Sequence, residues 1–492
     1  MYAMMHIAIH DALNAIDRRS RPYVLKHVHA RGASPEAAVA AAARGVLVPV
    51  LQELPPPFSD CVTGAKVVEG VEAEYAAAIG AIPSGPAKRG DSLWDGPPPR
   101  PSSAARTADG SDTPLFDTAY PQGTRPGEYR FTPGSDFAFA PGWSDVTPFV
   151  LNASSQFRPG PPYAVTSKQY AKDFNEVKRL GGDGVTTPSA RTADQTQVAL
   201  FWVESSPLRW NRIARTVATR KGLDLWENAR LFGLLNMALA DGYVATFDTK
   251  YKAYNYWRPV TAIRNADTDG NPRTKADPTW TPLVTTPPIP DYDSGHSVEG
   301  GAAAQVLKQF FGTDHVRFET CSYTLPPGRP APMRRPSCGG TPASPRPSDE
   351  NGLSRILVGF HFRKAVEEGI VHGTKIGDWA VNALLAARAL NGAAVITPPV
   401  RHATPGRDGN WLPRQRTAAL AAEKEPVPAR CPDRGPARRP RAGPGWTRTR
   451  AKSASGWPTE ARRAPTRPSA RLEPPPRRAP GQWCPRRSPC AG

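Results

Sequence analysis

A mainly α-helical bundle with long irregular loops is what this sequence predicts, and three observations predict it. Apolar residues recur at helical spacing through most of the first 390 positions. Helix-start signals stand before several of these stretches. Strand-type alternation of any length is absent from the N-terminal stretch through residue 81.

The opening stretch, MYAMMHIAIHDALNAID, gives a helix over 2–17. It lacks the basic stretch of a signal peptide, and His6, His10 and Asp11 interrupt its apolar part. It begins without a cap, so an upstream segment is expected, and the sequence assigns no localisation. In ASPEAAVAAAARGVLVPVLQEL, Ser34 is the expected N-cap and Pro35 the first helical residue. A third helix is predicted over 59–81. From about 109 to 162 the text is rich in Gly, Pro and aromatics. It predicts a long ordered loop, because its aromatics need somewhere to bury. Helices are predicted again at 167–180, 192–204, 207–220, 224–249, 294–311, 348–359 and 364–390.

Composition bounds the rest. With 492 residues, 39% of them hydrophobic, one large or two medium domains are affordable. No run of 18 apolar residues occurs, so no transmembrane span is predicted. Six cysteines without a CxxC pair argue against a zinc site. The net charge is +19, but residues 401–492 hold 21 Lys+Arg against 6 Asp+Glu, so +15 belongs to the tail. The tail and two inner stretches, 91–108 and 326–347, break character. The second of these has eight prolines in 22 residues, and such text does not pack a core. Translation of GC-rich DNA in a shifted frame would account for all three. The expected organisation is N-terminal helices over 1–90, a helical catalytic domain over 109–400 containing the 326–347 insert, and a disordered basic tail over 401–492. That tail lacks a folded reader motif and aromatics interleaved with its basic residues for stacking, so no specific nucleic-acid partner is expected.

Three pieces carry the chemistry: KYKAYNYWRPVTAIR at 250–264, DSGHS at 293–297, and SRILVGFHF at 354–362. They offer a lysine, two arginines, a Gly-Ser helix start and two histidines, which is what a tetrahedral oxyanion needs. Arg258 and Arg355 can each give paired donors from a planar fork. Lys250 gives a point charge. The start of the 294–311 helix adds free N–H groups and a positive dipole end beside Ser294. Gly295 allows close approach to the backbone, having no Cβ. Of the histidines, one can bind the central atom and the other can move protons. Alone, His296 reads equally well as a capping-region residue; together with the other two motifs it reads as functional. His6 and His10, Trp257 and Tyr254, and Ser297 and Glu299 read as packing or first-turn residues.

The three pieces resemble the signature of the type 2 phosphatidic acid phosphatase and vanadium-dependent haloperoxidase superfamily: Lys-x6-Arg-Pro, Pro-Ser-Gly-His and Ser-Arg-x5-His. YNYWRPVTAIR, DENGLSRILVGFHFRKAVEEG, HDALNAI and the 109–310 text further resemble bacterial vanadium haloperoxidase homologues. The resemblance covers roughly 1–90 and 109–390, outside 326–347. It implies a helical bundle with vanadate as cofactor, bound by His361, with His296 as acid-base residue. Lys250, Arg258, Ser294, Gly295 and Arg355 would hold the oxyanion. It implies hydrogen peroxide, a halide and a small organic acceptor as reactants, and pairing into a homodimer. The alternatives are a soluble acid phosphatase, forming a phosphohistidine in the same pocket, and an inactive homologue with a damaged frame.

Three departures from the family pattern stand out. Lys250 precedes Arg258 by eight positions and Lys252 by six, where the family uses seven. At about 100° per helical residue, seven brings two side chains within about 20°, eight leaves about 80° and six about 120°. Lys250 is the expected partner, with a one-residue bulge absorbing the insertion. Asp293 stands where proline is usual. Ala365 stands where an aspartate often orients the histidine four residues before it; Glu367 and Glu368 are the candidate substitutes, and no sequence feature selects either.

Overall fold

A computed structural model of the chain describes residues 1–383, apart from 57, 84–105, 315, 317, 319, 321 and 326–346. The tail and nearly all of the two anomalous inner stretches therefore lie outside the described residues. So does the end of the last predicted helix, beyond 383.

Helices dominate. In chain order they are α1 (Tyr2–Ile16), α2 (Pro35–Gln52), α3 (Phe58–Gly64), α4 (Val67–Gly80), α5 (Lys168–Leu180) and α6 (Ala193–Phe201). Next come α7 (Ser206–Lys221), α8 (Leu225–Phe247), α9 (Pro259–Arg264), α10 (Gly295–Phe311), α11 (Pro347–Leu357) and α12 (Arg363–Ala383). The one sheet among the described residues pairs β1 (Phe116–Asp117) with β2 (Ala138–Phe139), antiparallel. No helix of the described residues is long and apolar enough to cross a membrane.

The start signals act as written. The Ser34 hydroxyl accepts the Ala37 N–H at 3.2 Å, with Pro35 at the first helical position. Asp224 opens α8 with a capping box: its carboxylate accepts the Glu227 N–H at 2.8 Å, and Glu227 accepts the Asp224 N–H at 2.9 Å. The helix predicted over 59–81 is instead two, α3 and α4. Lys66 between them takes a left-handed conformation, φ 51°, which ends the first helical run.

The bundle's centre is α8, α10 and α12. Helices α10 and α12 approach closely because their contact is made by glycines. A Cβ on Gly373 would fall 1.8 Å from the Val298 carbonyl oxygen, and one on Gly301 would fall 2.4 Å from that of Ile370. Around them one core holds Trp210, Ile213, Leu234, Leu235, Ala302 and Val306. A second holds Phe174, Trp257, Val260, Ile263, Trp280 and Phe362, and it carries the motif segments.

The 109–162 stretch is the ordered loop its composition predicts. Tyr129 is fully buried in it. Asp241 on α8 accepts three consecutive backbone N–H groups, from Phe149, Val150 and Leu151, at 2.6–2.8 Å. The Tyr251 hydroxyl donates to the Phe139 carbonyl at 2.7 Å.

Candidate active site

The first motif leaves α8 through a turn of π-helix, Asp248–Tyr254. Its wider ring is closed by the Asn255 N–H, which donates to the Lys250 carbonyl five residues back at 2.8 Å. This is the bulge that the eight-residue spacing requires. It sends Lys250 inward, fully buried, while Lys252 turns out to pair with Asp145. Lys250 Nζ donates to the carbonyls of Pro290 at 2.7 Å and Asp291 at 2.9 Å. Arg258 precedes α9 and donates from Nε to the neighbouring Ile289 carbonyl at 2.6 Å. Both cations thus grip one short segment, 289–291, which leads into the second motif.

That segment delivers Ser294 and Gly295 to the start of α10. The Ser294 side chain does not cap the helix; its hydroxyl accepts from Ser297 Oγ at 2.9 Å. A Cβ on Gly295 would meet only Thr246 Cγ2, at 3.7 Å, an ordinary contact. Protein packing therefore does not demand a glycine there, whereas close approach of a ligand would. Asp293 turns away from this helix start. It is buried, accepts the Thr246 hydroxyl at 2.7 Å and pairs with His372 Nδ1 at 2.9 Å.

The third motif closes the cluster from α11 and the turn after it. Arg258 Nη1 lies 2.8 Å from His361 Nε2 and also donates to the Phe360 carbonyl at 2.9 Å. His361 Nδ1 lies 2.9 Å from Asp291 Oδ1. Arg355 is 1% exposed; its Nε donates to Ser354 Oγ at 3.1 Å, and its Nη2 has no protein partner. His296, half-buried, has Nε2 3.3 Å from the Glu204 carbonyl.

These groups feel one another. Burial pulls His361 well below the usual imidazole range, and Arg258, Lys250, Arg355 and His296 pull it further. Burial also lowers His296, followed by Arg355. Burial brings Arg355 down to about 9, aided by Arg258 and Arg209, with Glu299 opposing. Lys250 is lowered by burial and by Arg258, against Asp291 and Asp293. A cluster this cationic and this dry could hold a tetrahedral oxyanion, which would relieve the repulsion and give Arg355 Nη2 an acceptor. The donor set fits vanadate: an imidazole whose Nε2 faces the cluster, two guanidinium forks, an ammonium and a helix start.

All seven residues singled out in the sequence stand in these three segments. Glu367 and Glu368 do not orient His361; they face Arg363 at 3.6 Å and Lys364 at 2.6 Å. His10 spends its ring on Asp11, Ser20 and Asn14, and His6 stacks on Phe232, so this pair is packing. Trp257 is fully buried core, and the Tyr254 hydroxyl donates to Pro159. Sequence reasoning missed Asp291 and Arg209, and read Glu299 only as a first-turn residue. Asp291 lay two residues before DSGHS, and a charged residue between Pro290 and Tyr292 was the available signal.

The described fold is a helical bundle, its three motifs resemble those of the vanadium haloperoxidases, and comparison with known proteins finds the same likeness. Residues 230–389 match the family model of the VCPO second helical-bundle domain. A vanadium chloroperoxidase of Curvularia inaequalis is 25% identical over 281 residues, 46% of this chain and 45% of that protein. The chain thus spans about half the length of this curated relative. Among solved structures, the first bacterial vanadium-dependent iodoperoxidase superposes with TM-score 0.57 at 22% identity, covering 79% of this chain and 91% of that one. An apo bacterial vanadium-dependent chloroperoxidase gives 0.57 at 16%, covering 77% and 91%. The resemblance carried by the motifs is therefore shown: the fold is that of the vanadium haloperoxidases, and the sequence over 230–389 is similar to their second helical-bundle domain.

Proposed function

We propose that this chain is a vanadium-dependent haloperoxidase, using hydrogen peroxide to oxidise a halide that then halogenates a small organic acceptor. The observation that carries the reading is the convergence of Lys250, Arg258, Arg355, His296 and His361 from three distant segments, with a buried guanidinium nitrogen left without an acceptor. Bound vanadate would supply the activation of peroxide for two-electron halide oxidation, without changing its own oxidation state. Every other task falls to the protein. His361 Nε2 would hold the vanadium. Arg258, Arg355, Lys250, Ser294 and the Gly295 N–H would neutralise and orient its oxygens. His296 rests Nε2 against a carbonyl, so that nitrogen carries the proton and Nδ1 is the basic atom. Its lowered pKa keeps it a neutral base near pH 7. The catalytic unit is assigned to residues 109–400.

Vanadate- and peroxide-dependent halogenation of monochlorodimedone, tested with chloride, bromide and iodide, checks this. Activity should appear with at least one halide and be lost in His361→Ala. Turnover of p-nitrophenyl phosphate without vanadate, and no halogenation with it, would reverse the reading in favour of a phosphatase.

A further inference from the structure

The geometry points to Asp291 as the positioning residue for His361: it holds the ring proton on Nδ1, so that Nε2 presents its lone pair to the cationic cluster. This rests on the haloperoxidase reading for its purpose, though not for its chemistry. The surroundings of Nε2 fix the tautomer. Its 2.8 Å neighbour is Arg258 Nη1, while Nδ1 is farther from that nitrogen, at 3.4 Å. A guanidinium only donates, so Nε2 must accept, and a neutral ring must then carry its proton on Nδ1. The acceptor facing Nδ1 is Asp291 Oδ1 at 2.9 Å. The 2.9 Å approach is an ion-pair contact outside hydrogen-bond geometry, and neither Asp291 carboxylate oxygen makes a hydrogen bond; in free enzymes such contacts often align only when the ligand is bound.

Asp291 is itself held. It is 1% exposed; its N–H donates to the Tyr256 carbonyl at 2.8 Å, and its carbonyl accepts from Lys250. The same backbone that Lys250 and Arg258 grip therefore carries the carboxylate. The position four residues after His361 offers nothing equivalent: Ala365 has only a methyl, and its carbonyl is taken by the Ser294 N–H at 3.0 Å. The orienting carboxylate has moved from the helix that follows the histidine to the loop that precedes the other one.

The test uses the full chain labelled with ¹⁵N-histidine. Long-range ¹H–¹⁵N spectra, with His361 assigned through His361→Gln, should show its proton on Nδ1. Asp291→Asn should move the proton towards Nε2 and weaken orthovanadate binding by about 10–100-fold. Inorganic phosphate, which needs the charges but not the lone pair, should bind nearly as before. A parent ring protonated on Nε2 overturns the proposal, even if the Asn variant fails to fold. So does an Asn variant that binds vanadate like the parent, or one that loses both anions equally. A parent chain that binds no vanadate ends the haloperoxidase reading, while the tautomer still decides the role of Asp291.

Discussion

One residue separates Lys250 from Lys252, and their surroundings share nothing. The first is sealed against the carbonyls of 290 and 291; the second makes a half-exposed ion pair with Asp145, the kind that contributes little. Lys250→Met should therefore weaken orthovanadate binding by about 10–100-fold, the worth of one charged hydrogen bond. Lys252→Met should leave it unchanged. Titration calorimetry with vanadate checks both, and equal losses would remove the distinction. At this scale the sequence was legible where chemistry dictates residue type: the lysine, both arginines, both histidines and the helix start. It was silent on pairings across the chain. Asp293 finds His372 79 positions away and Asp291 finds His361 70 positions away, and no local spacing reports such a meeting.

Among the elements, helix starts were readable because caps are local hydrogen bonds. The break at Lys66 was not, since nothing in the surrounding text demands a left-handed residue there. The loop over 109–162 was legible as ordered but not as to what orders it. Asp241 answers that, by gathering three successive N–H groups onto α8. Burial raises its carboxyl to about 6, against the pull of those three donors and Arg106. Asp241→Asn removes the charge and half the acceptor capacity. It should cost about 1.5–3 kcal/mol of stability, the range for hydrogen bonds to a charged group, with early hydrogen exchange at 149–151. Urea denaturation and exchange mass spectrometry would show it; exchange unchanged in that segment would mean the loop is held by its aromatics instead.

For the molecule as a whole, buried titratable groups give stability a pH dependence of mixed sign. Burial pushes Glu299 up to about 8, opposed by the Ser206 hydroxyl and Arg355. Between the ordinary glutamate range near 4.5 and 8, the folded chain keeps a proton that the unfolded chain has released. That contribution is therefore full below about 4.5 and falls as pH rises through 8. Burial takes His6 down to about 4, so its contribution is full above 6.5 and is lost as pH falls toward 4. Glu299→Gln should flatten the alkaline side and leave the acid side alone. Urea midpoints at pH 5 and pH 8 would show a smaller difference in the variant; the same difference as the parent would mean that Glu299 is ionised in the fold.

The widened turn at 248–254 also bears on how such chains are found. A search pattern that fixes the lysine-to-arginine gap at one length would pass over this sequence, although the two cations still converge on adjacent carbonyls. Because a single extra residue can be looped out of a helix without displacing the chain on either side, such a pattern should tolerate one added position wherever the gap crosses a helix end. Chains discarded for that slip alone are the place to look for more relatives of this one.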